Sequence, residues 1–231
     1  SNNRIRQNNG AQGGGVTVGH PYLVLETPEG LVYQDAQNDF VRIHHNQIAG
    51  NGGLGGAGGG VALYTGADYY EVTDNLIAGN FNQGHGGGVG HWGRSNGGTI
   101  ARNRILFNQS FDQGTTVSGG GIFIGGGAAL VLGGLTEGAG SVSVEGNLIQ
   151  GNLGGAGDGG GAKILWTLPE DLIRFANNFV VNNVTGLAGG GLALQDAANV
   201  EIVHNTIAHN DSTATAGAAF VSANLTEPLP A

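Results

Sequence analysis

His45, Asp74 and Arg102 hold the same place in three stretches of this chain. Each stands directly before an asparagine that opens a hexad of the form N-x-[IV]-x-x-N: "NQIAGN" at 46–51, "NLIAGN" at 75–80 and "NRILFN" at 103–108. If the hexads stack, a base, an acid and a cation line up in one row, which is material for proton transfer. Cleaving a glycosidic bond needs two carboxylates within about 10 Å. This row supplies one, next to an arginine able to occupy it. Four residues before each asparagine come Arg42, Glu71, Thr99, Ser143, Arg174 and Glu201. Neither column holds two acids in adjacent copies. The expectation is therefore cross-strand pairs of alternating sign, Arg42 with Glu71 and Arg174 with Glu201, and no catalytic residue. His45, Asp74 and Arg102 remain the candidate set for the case that the chain is an enzyme.

Other chemistry is sparse. His85 and His91 flank "GGGVG", with Trp92 beside the latter. Two histidines six apart with no acid nearby make a poor metal site, and both read as surface residues. The stretch "GGAGDGGGA" at 154–162 approaches a calcium-binding repeat. A stacked calcium roll needs an aspartate in every unit, and Asp158 is alone at its place. The glycine runs are followed by no Lys-Ser/Thr and lie in no strand–helix unit, so they are not phosphate loops. The chain has no cysteine, which removes disulfides, thiol chemistry and cysteine-ligated zinc. No cofactor and no metal are expected. A net charge of −9 argues against nucleic acid and against anionic membrane surfaces. No apolar run approaches the length of a membrane-spanning helix, so this segment is not expected to insert into a membrane.

The elements that must position these residues follow from recurrence. The first asparagine of the hexad falls at 3, 46, 75, 103, 147, 178 and 205, in steps of 43, 29, 28, 44, 31 and 27. A glycine cluster and an apolar pair follow the hexads, as in "GGGVAL" (58–63), "GGGIFI" (119–124) and "GGGLAL" (189–194). Short alternating runs such as "FVRI" (40–43) and "VSV" (142–144) precede most of them. Each unit thus holds three strand-like pieces of period two, too short to pack alone. Stacked on its own copies, each piece buries one apolar column. Ile48, Ile77, Ile105, Ile149, Val180 and Ile207 should form one such column. Asn46, Asn75, Asn103, Asn147, Asn178 and Asn205 should form one amide ladder, and Asn51, Asn80, Asn108, Asn152, Asn183 and Asn210 a second. Asparagine tolerates left-handed backbone, which suits the turns. Asn96 lies outside both ladders and should be exposed.

Residues 1–231 read as a single elongated repeat domain, a piece of a larger protein, with insertions near 19–39 and 125–141. Within the first, "TPEG" reads as the turn of a small hairpin. Its acids Glu26, Glu29, Asp35 and Asp39 could fold over the His45 row. A smaller excursion is "WTLPEDL" at 166–172. Loops on solenoids carry binding, so these three excursions are the candidates for it.

The paired signals, glycine-glycine-small-apolar as in "GGGIFI" and apolar-x-x-Asn as in "IAGN", resemble those of the right-handed parallel β-helix superfamily. That superfamily includes pectate-lyase-like and polymorphic-outer-membrane-type proteins. The resemblance covers about residues 3–221. This chain departs from the polymorphic-outer-membrane pattern in having Gly where that family has Ala, and Ile where it has Phe. The resemblance implies an all-β, right-handed parallel β-helix of at least seven coils with three short strands each. It implies a non-catalytic scaffold, adhesion or ligand-binding segment of a large exported bacterial protein, extracellular or on the cell surface. The partners implied are polysaccharide or another extracellular protein. The alternative it offers is a carbohydrate-active β-helix that binds or cleaves polysaccharide as a lyase or hydrolase.

Overall fold

Seven three-residue strands, from Arg4–Arg6 to Thr206–Ala208, stack in parallel into one sheet with unbroken register. Ile48 pairs with Ile5 and Ile77, Ile105 with Ile77 and Ile149, and Val180 with Ile149 and Ile207. The predicted column therefore exists, and Ile48, Ile77, Ile105, Ile149 and Val180 are fully buried. The computed structural model describes residues 1–20, 24–28, 30–33, 35–127 and 137–222. Among them there is no helix.

Two further parallel sheets complete the coil. Sheet I, of six strands, runs from Arg42–His44 to Val200–Val203 and precedes the hexads. The hexad sheet is sheet II. Sheet III, of seven strands, runs from Val16–Val18 to Ala219–Ser222 and follows the glycine clusters. Two-residue strands such as Gly52–Gly53 and Phe81–Asn82 link sheets II and III. Seven stacked layers make about six full turns of a parallel β-solenoid. Inward residues of all three sheets, including Val72, Ile77 and Val89, form one continuous core.

Both asparagine ladders are present, and each runs in one direction. In every step the backbone N–H and the Nδ2 of one asparagine donate to the Oδ1 of its equivalent in the next coil. For Asn75 and Asn103 both distances are 3.0 Å. The second Nδ2 hydrogen goes to a carbonyl of the preceding coil, as from Asn75 to Ile43 O at 2.8 Å. The buried amide thus uses two donors and two acceptor positions, its whole capacity. The first coil joins in: Asn3 donates to Asn46, and Asn8 to Asn51. The left-handed turn falls elsewhere than asparagine's tolerance suggests. The residue before each ladder asparagine carries the positive φ, as at His45 (55°), Asp74 (58°) and Arg102 (55°), while the ladder asparagines do not.

The glycine triplets answer three separate constraints in successive residues. The first glycine has positive φ, 81° at Gly58 and 63° at Gly86. The second meets backbone: a Cβ on Gly87 would lie 2.4 Å from the carbonyl carbon of Gln109. The third faces the core beside the ladder, where a Cβ on Gly60 would lie 2.9 Å from Ile77 Cγ2 and 3.0 Å from Asn80 Nδ2. Only hydrogen fits at such approaches.

Of the insertions, the first contains the predicted hairpin: Val24–Thr27 pairs antiparallel with Gly30–Tyr33. Residues 128–136, the centre of the second, lie outside the described residues.

Candidate functional site

The His45 row sits where sheet I turns into sheet II. The backbone there is left-handed, and His45 and Arg102 are exposed while Asp74 is half-buried. Arg102 grips Asp74 with two parallel bonds, Nε to Oδ1 at 2.9 Å and Nη2 to Oδ2 at 2.8 Å. The Arg102 hydrogen bonds hold the Asp74 carboxyl below the usual carboxylate range. Both of its oxygens are therefore engaged, and it is a poor proton acceptor. His45, which is exposed, has its Nδ1 3.1 Å from Nδ1 of its half-buried neighbour His44. On the adjoining column Arg42 meets Glu71 at 3.4 Å, and Arg174 meets both Glu201 at 2.9 Å and Glu145 at 3.0 Å. The expected sign-alternating pairs are thus formed, and the row joins His45, Asp74 and Arg102 as neighbours without assembling an acid and a base around a cleft.

A cleft does exist, one corner away, where sheet III turns into sheet I. All three excursions read from the sequence leave the solenoid at this corner. The first departs between Val16–Val18 and Arg42–His44, the second between Ile122–Gly125 and Val142–Glu145, and the third between Ala162–Thr167 and Ile173–Ala176. Between the bases of the first two lies a cleft of about 230 Å³. Asp35, Asp68, Arg94, Asn96 and Glu137 supply its polar walls. It is smaller than the ~300–1,000 Å³ usual for small-molecule sites.

The cleft is braced from beneath. Arg94 donates to Asp171 at 3.1 and 3.2 Å and to the Glu137 carbonyl at 2.7 Å. Asp171 is buried and also accepts from the Gly140 N–H. His91 Nε2 lies 2.8 Å from the Ala139 carbonyl and 2.9 Å from that of Gly93. Both are acceptors, so Nε2 carries the proton and Nδ1 accepts from the Tyr70 hydroxyl at 2.9 Å. Burial pushes the His91 imidazole down to about 4 and the Tyr70 phenol far up, so both are neutral at pH 7. His91 is thus an internal strut for the second insertion, contrary to its reading as a surface residue.

A third side-chain column crosses this corner in the opposite sense to the asparagine ladders. Asp39 Oδ1 accepts from Asp68 N–H at 3.2 Å, Asp68 Oδ1 from Asn96 N–H at 2.7 Å, and Asn96 Oδ1 from Ser141 N–H at 3.3 Å. Asn96 is therefore half-buried and bonded, not exposed as expected. Asp35 and Asp39 are committed here, away from the His45 row; the side chain of Glu26 and the whole of Glu29 lie outside the described residues. One position further along, Phe40 and Tyr69 are both exposed and stack at 5.0 Å with planes 10° apart.

The outer face of sheet III is covered by the glycine loops and forms a second, smaller core. There His85 stacks on Phe123 at 4.3 Å and meets Trp92 at 4.8 Å. Burial pushes the His85 imidazole down to about 4. Next to Phe123 in register is Lys163, buried, with Nζ 2.7 Å from Asp158 and 2.9 Å from Gln195 Oε1. Asp158, which looked like a stray calcium ligand, is the counter-ion of this lysine. Among the described residues no three histidines or carboxylates are placed to hold a metal.

Sequence reading missed Asp68, Arg94 and Glu137 as a group because they belong to three different coils. One signal could have found them: both long insertions enter the unit after the glycine-cluster strand, at the same step. Comparison with known proteins adds no assignment, since no family model, curated protein or solved structure matches the chain.

Proposed function

We propose that the chain is a non-catalytic β-helical scaffold, of the right-handed pectate-lyase-like or polymorphic-outer-membrane type. In this reading it serves as an adhesion or ligand-binding segment of a large exported bacterial protein, outside the cell or at its surface. One observation carries the non-catalytic part: Arg102 occupies both oxygens of Asp74, the only carboxylate of the candidate row. Acid–base cleavage of a sugar chain requires a free pair of groups facing a shared cleft. The corner cleft offers carboxylates, but Asp68 and Asp35 each spend an oxygen on backbone N–H groups. The test is a turnover screen on pectate, alginate and neutral glycans, with and without Ca²⁺. No release of reducing ends or unsaturated sugars is expected. Turnover abolished by Asp74→Asn and kept by Asp158→Asn would replace the scaffold reading with the enzyme one.

The exposed Phe40–Tyr69 stack favours polysaccharide, among the partners considered, as the bound ligand. Its rings offer apolar surface beside hydrogen-bonding carboxylates, an arrangement suited to the two-sided polarity of a sugar ring. Affinity electrophoresis through gels containing neutral polysaccharide tests this. Retardation should be lost in the Phe40→Ala/Tyr69→Ala variant; equal mobility of the parent with and without polysaccharide removes this second reading alone.

A further inference from the structure

Consecutive side chains of a strand point to opposite faces, so two neighbouring histidines should not meet. His44 and His45 do. His44 ends the strand Arg42–His44, and His45, with φ 55°, turns the chain into the hexad. The left-handed turn breaks the alternation and brings the two rings together, Nδ1 to Nδ1 at 3.1 Å with planes at 88°. One coil on, the same turn sets the Thr73 hydroxyl against the Asp74 carboxylate. Backbone bonds hold the His45 turn from both sides: its N–H donates to Thr73 O at 3.2 Å, and its carbonyl accepts from Asn2 N–H at 3.0 Å. Two neutral rings meeting in this way share one proton, one Nδ1–H donating to the lone pair of the other Nδ1. When both rings carry their proton on Nε2 instead, two lone pairs converge on one point. Ligand nitrogens about 2.0–2.1 Å from an ion and 3.1 Å apart subtend an angle of about 100° at it, between square-planar and tetrahedral. The flanking charges are already balanced, Asp74 by Arg102 and Glu71 by Arg42, so no uncompensated cation opposes a metal there.

We propose that His44 and His45 chelate one divalent transition-metal ion through their two Nδ1 atoms, Cu(II) most tightly by the general order of affinities. The ion takes the place of the shared proton, and each ring keeps its own proton on Nε2. Water or another oxygen ligand fills the remaining positions, because among the described residues no third histidine or carboxylate completes a set. The ion is therefore an exposed chelate and not a closed structural centre. This site does not depend on the scaffold reading, since it needs neither a cleft nor a free carboxylate.

The experiment is a calorimetric titration of the chain with Cu(II) alone, followed by electron paramagnetic resonance on the loaded sample. One tight equivalent per chain is expected, with a spectrum showing two nitrogen ligands. Binding should weaken as pH falls through about 6.5, because each proton taken up by a ring removes a lone pair. His44→Ala and His45→Ala should each lose more than the about 10–100-fold in affinity that removal of an outer-shell partner costs. His204 supplies the control: it stands at the same turn with φ 56°, but Val203 precedes it. His204→Ala should bind as the parent does. If His44→Ala loses its β circular-dichroism signal, His45→Ala, which removes an exposed ring, decides alone. Absence of a tight equivalent in the parent overturns the proposal. So does parent-like binding by His45→Ala, or a tight equivalent lost in His204→Ala.

Discussion

Asn147 Oδ1 accepts two hydrogen bonds from Asn103, one from its backbone N–H at 2.9 Å and one from its Nδ2 at 3.1 Å. Asn147 Nδ2 passes two more on, to the Ile100 carbonyl at 2.8 Å and to Asn178 Oδ1 at 3.0 Å. Four side-chain bonds thus converge on one amide with no access to water, in the middle of a stack whose members are identical. Low local dielectric strengthens each bond and makes each unpaired partner costly.

Asn147→Ala should therefore destabilise the fold by about 2–4 kcal/mol, since it strands donors and acceptors in two neighbouring coils at once. Asn147→Asp should be at least as damaging, because a carboxylate supplies no N–H to Ile100 or Asn178. Denaturant midpoints measure this. Asn205→Ala, in the last described coil, should cost clearly less. Equal losses at the two positions would show that the ladder does not act as a buried network.

Glycine separates two kinds of constraint. Gly161 has its Cβ position 2.4 Å from the Gly191 carbonyl oxygen and 3.0 Å from Asn183 Nδ2. Gly161→Ala must push apart two coils and should cost roughly 3 kcal/mol or more. Gly79 has φ +61° and nothing within 4 Å of its Cβ position. Gly79→Ala therefore faces only the left-handed backbone cost, about 1–2 kcal/mol. Thermal midpoints should fall in that order; the reverse order would show that backbone angle, not coil spacing, makes the triplets necessary.

Stability should depend on pH through buried histidines. Burial pushes His85 and His91 down to about 4 in the folded chain, against about 6.5 when unfolded. Between those values the unfolded chain binds more protons, so stability is complete above about pH 7 and declines as pH falls toward 4. Each histidine accounts for roughly 3 kcal/mol across that window. His85 Nδ1 is buried with no hydrogen-bond partner, and the ring stacks on Phe123. His85→Phe keeps the stacking and removes the titration, so it should flatten the pH slope and raise stability at pH 5. Urea midpoints from pH 5 to 8 check both; an unchanged slope in the variant would place the titration elsewhere.

Much of this architecture was legible in the sequence because a solenoid writes its contacts into its period. Ile48 touches Ile77 because the chain returns after 29 residues, and the same step carries Asn46 to Asn75. Arg42 and Glu71 were readable as a pair for the same reason. What was not legible lies off the period. Arg94 and Asp171 are 77 residues apart and belong to different coils, and their contact depends on how the second insertion leaves its corner. His91 looked exposed because a polar ring between glycines suggests a loop. Its burial comes from Tyr70 and from the Ala139 carbonyl, which lies at the base of that same insertion. Sheet III hid its own surprise. Its strands alternate as if one face met water, yet the glycine loops fold back over that face and bury Phe123 and Lys163.

Lys163 provides the last prediction. Its ammonium is buried beside Asp158 at 2.7 Å, in a layer that also holds Phe123 and Leu165. Desolvation lowers its affinity for the proton, and the Asp158 carboxylate opposes that shift. Equivalent positions in other coils are Ala62, Gly90 and Ala193, so the coil does not need an ion pair to form. Removing one partner is another matter. Asp158 Oδ1 has no hydrogen-bond partner, so Lys163→Met would leave the carboxylate buried and unpaired, at about 3–5 kcal/mol. Asp158→Ala should cost a comparable amount by stranding the ammonium. The double variant Lys163→Met/Asp158→Ala, which restores the alanine found at Ala57 and Ala188, should regain most of the loss, because an apolar pair needs no counter-charge. A double-mutant cycle on unfolding free energies measures the coupling. If the two single losses simply add in the double variant, the pair is not an isolated buried ion pair and Gln195 holds the lysine by itself.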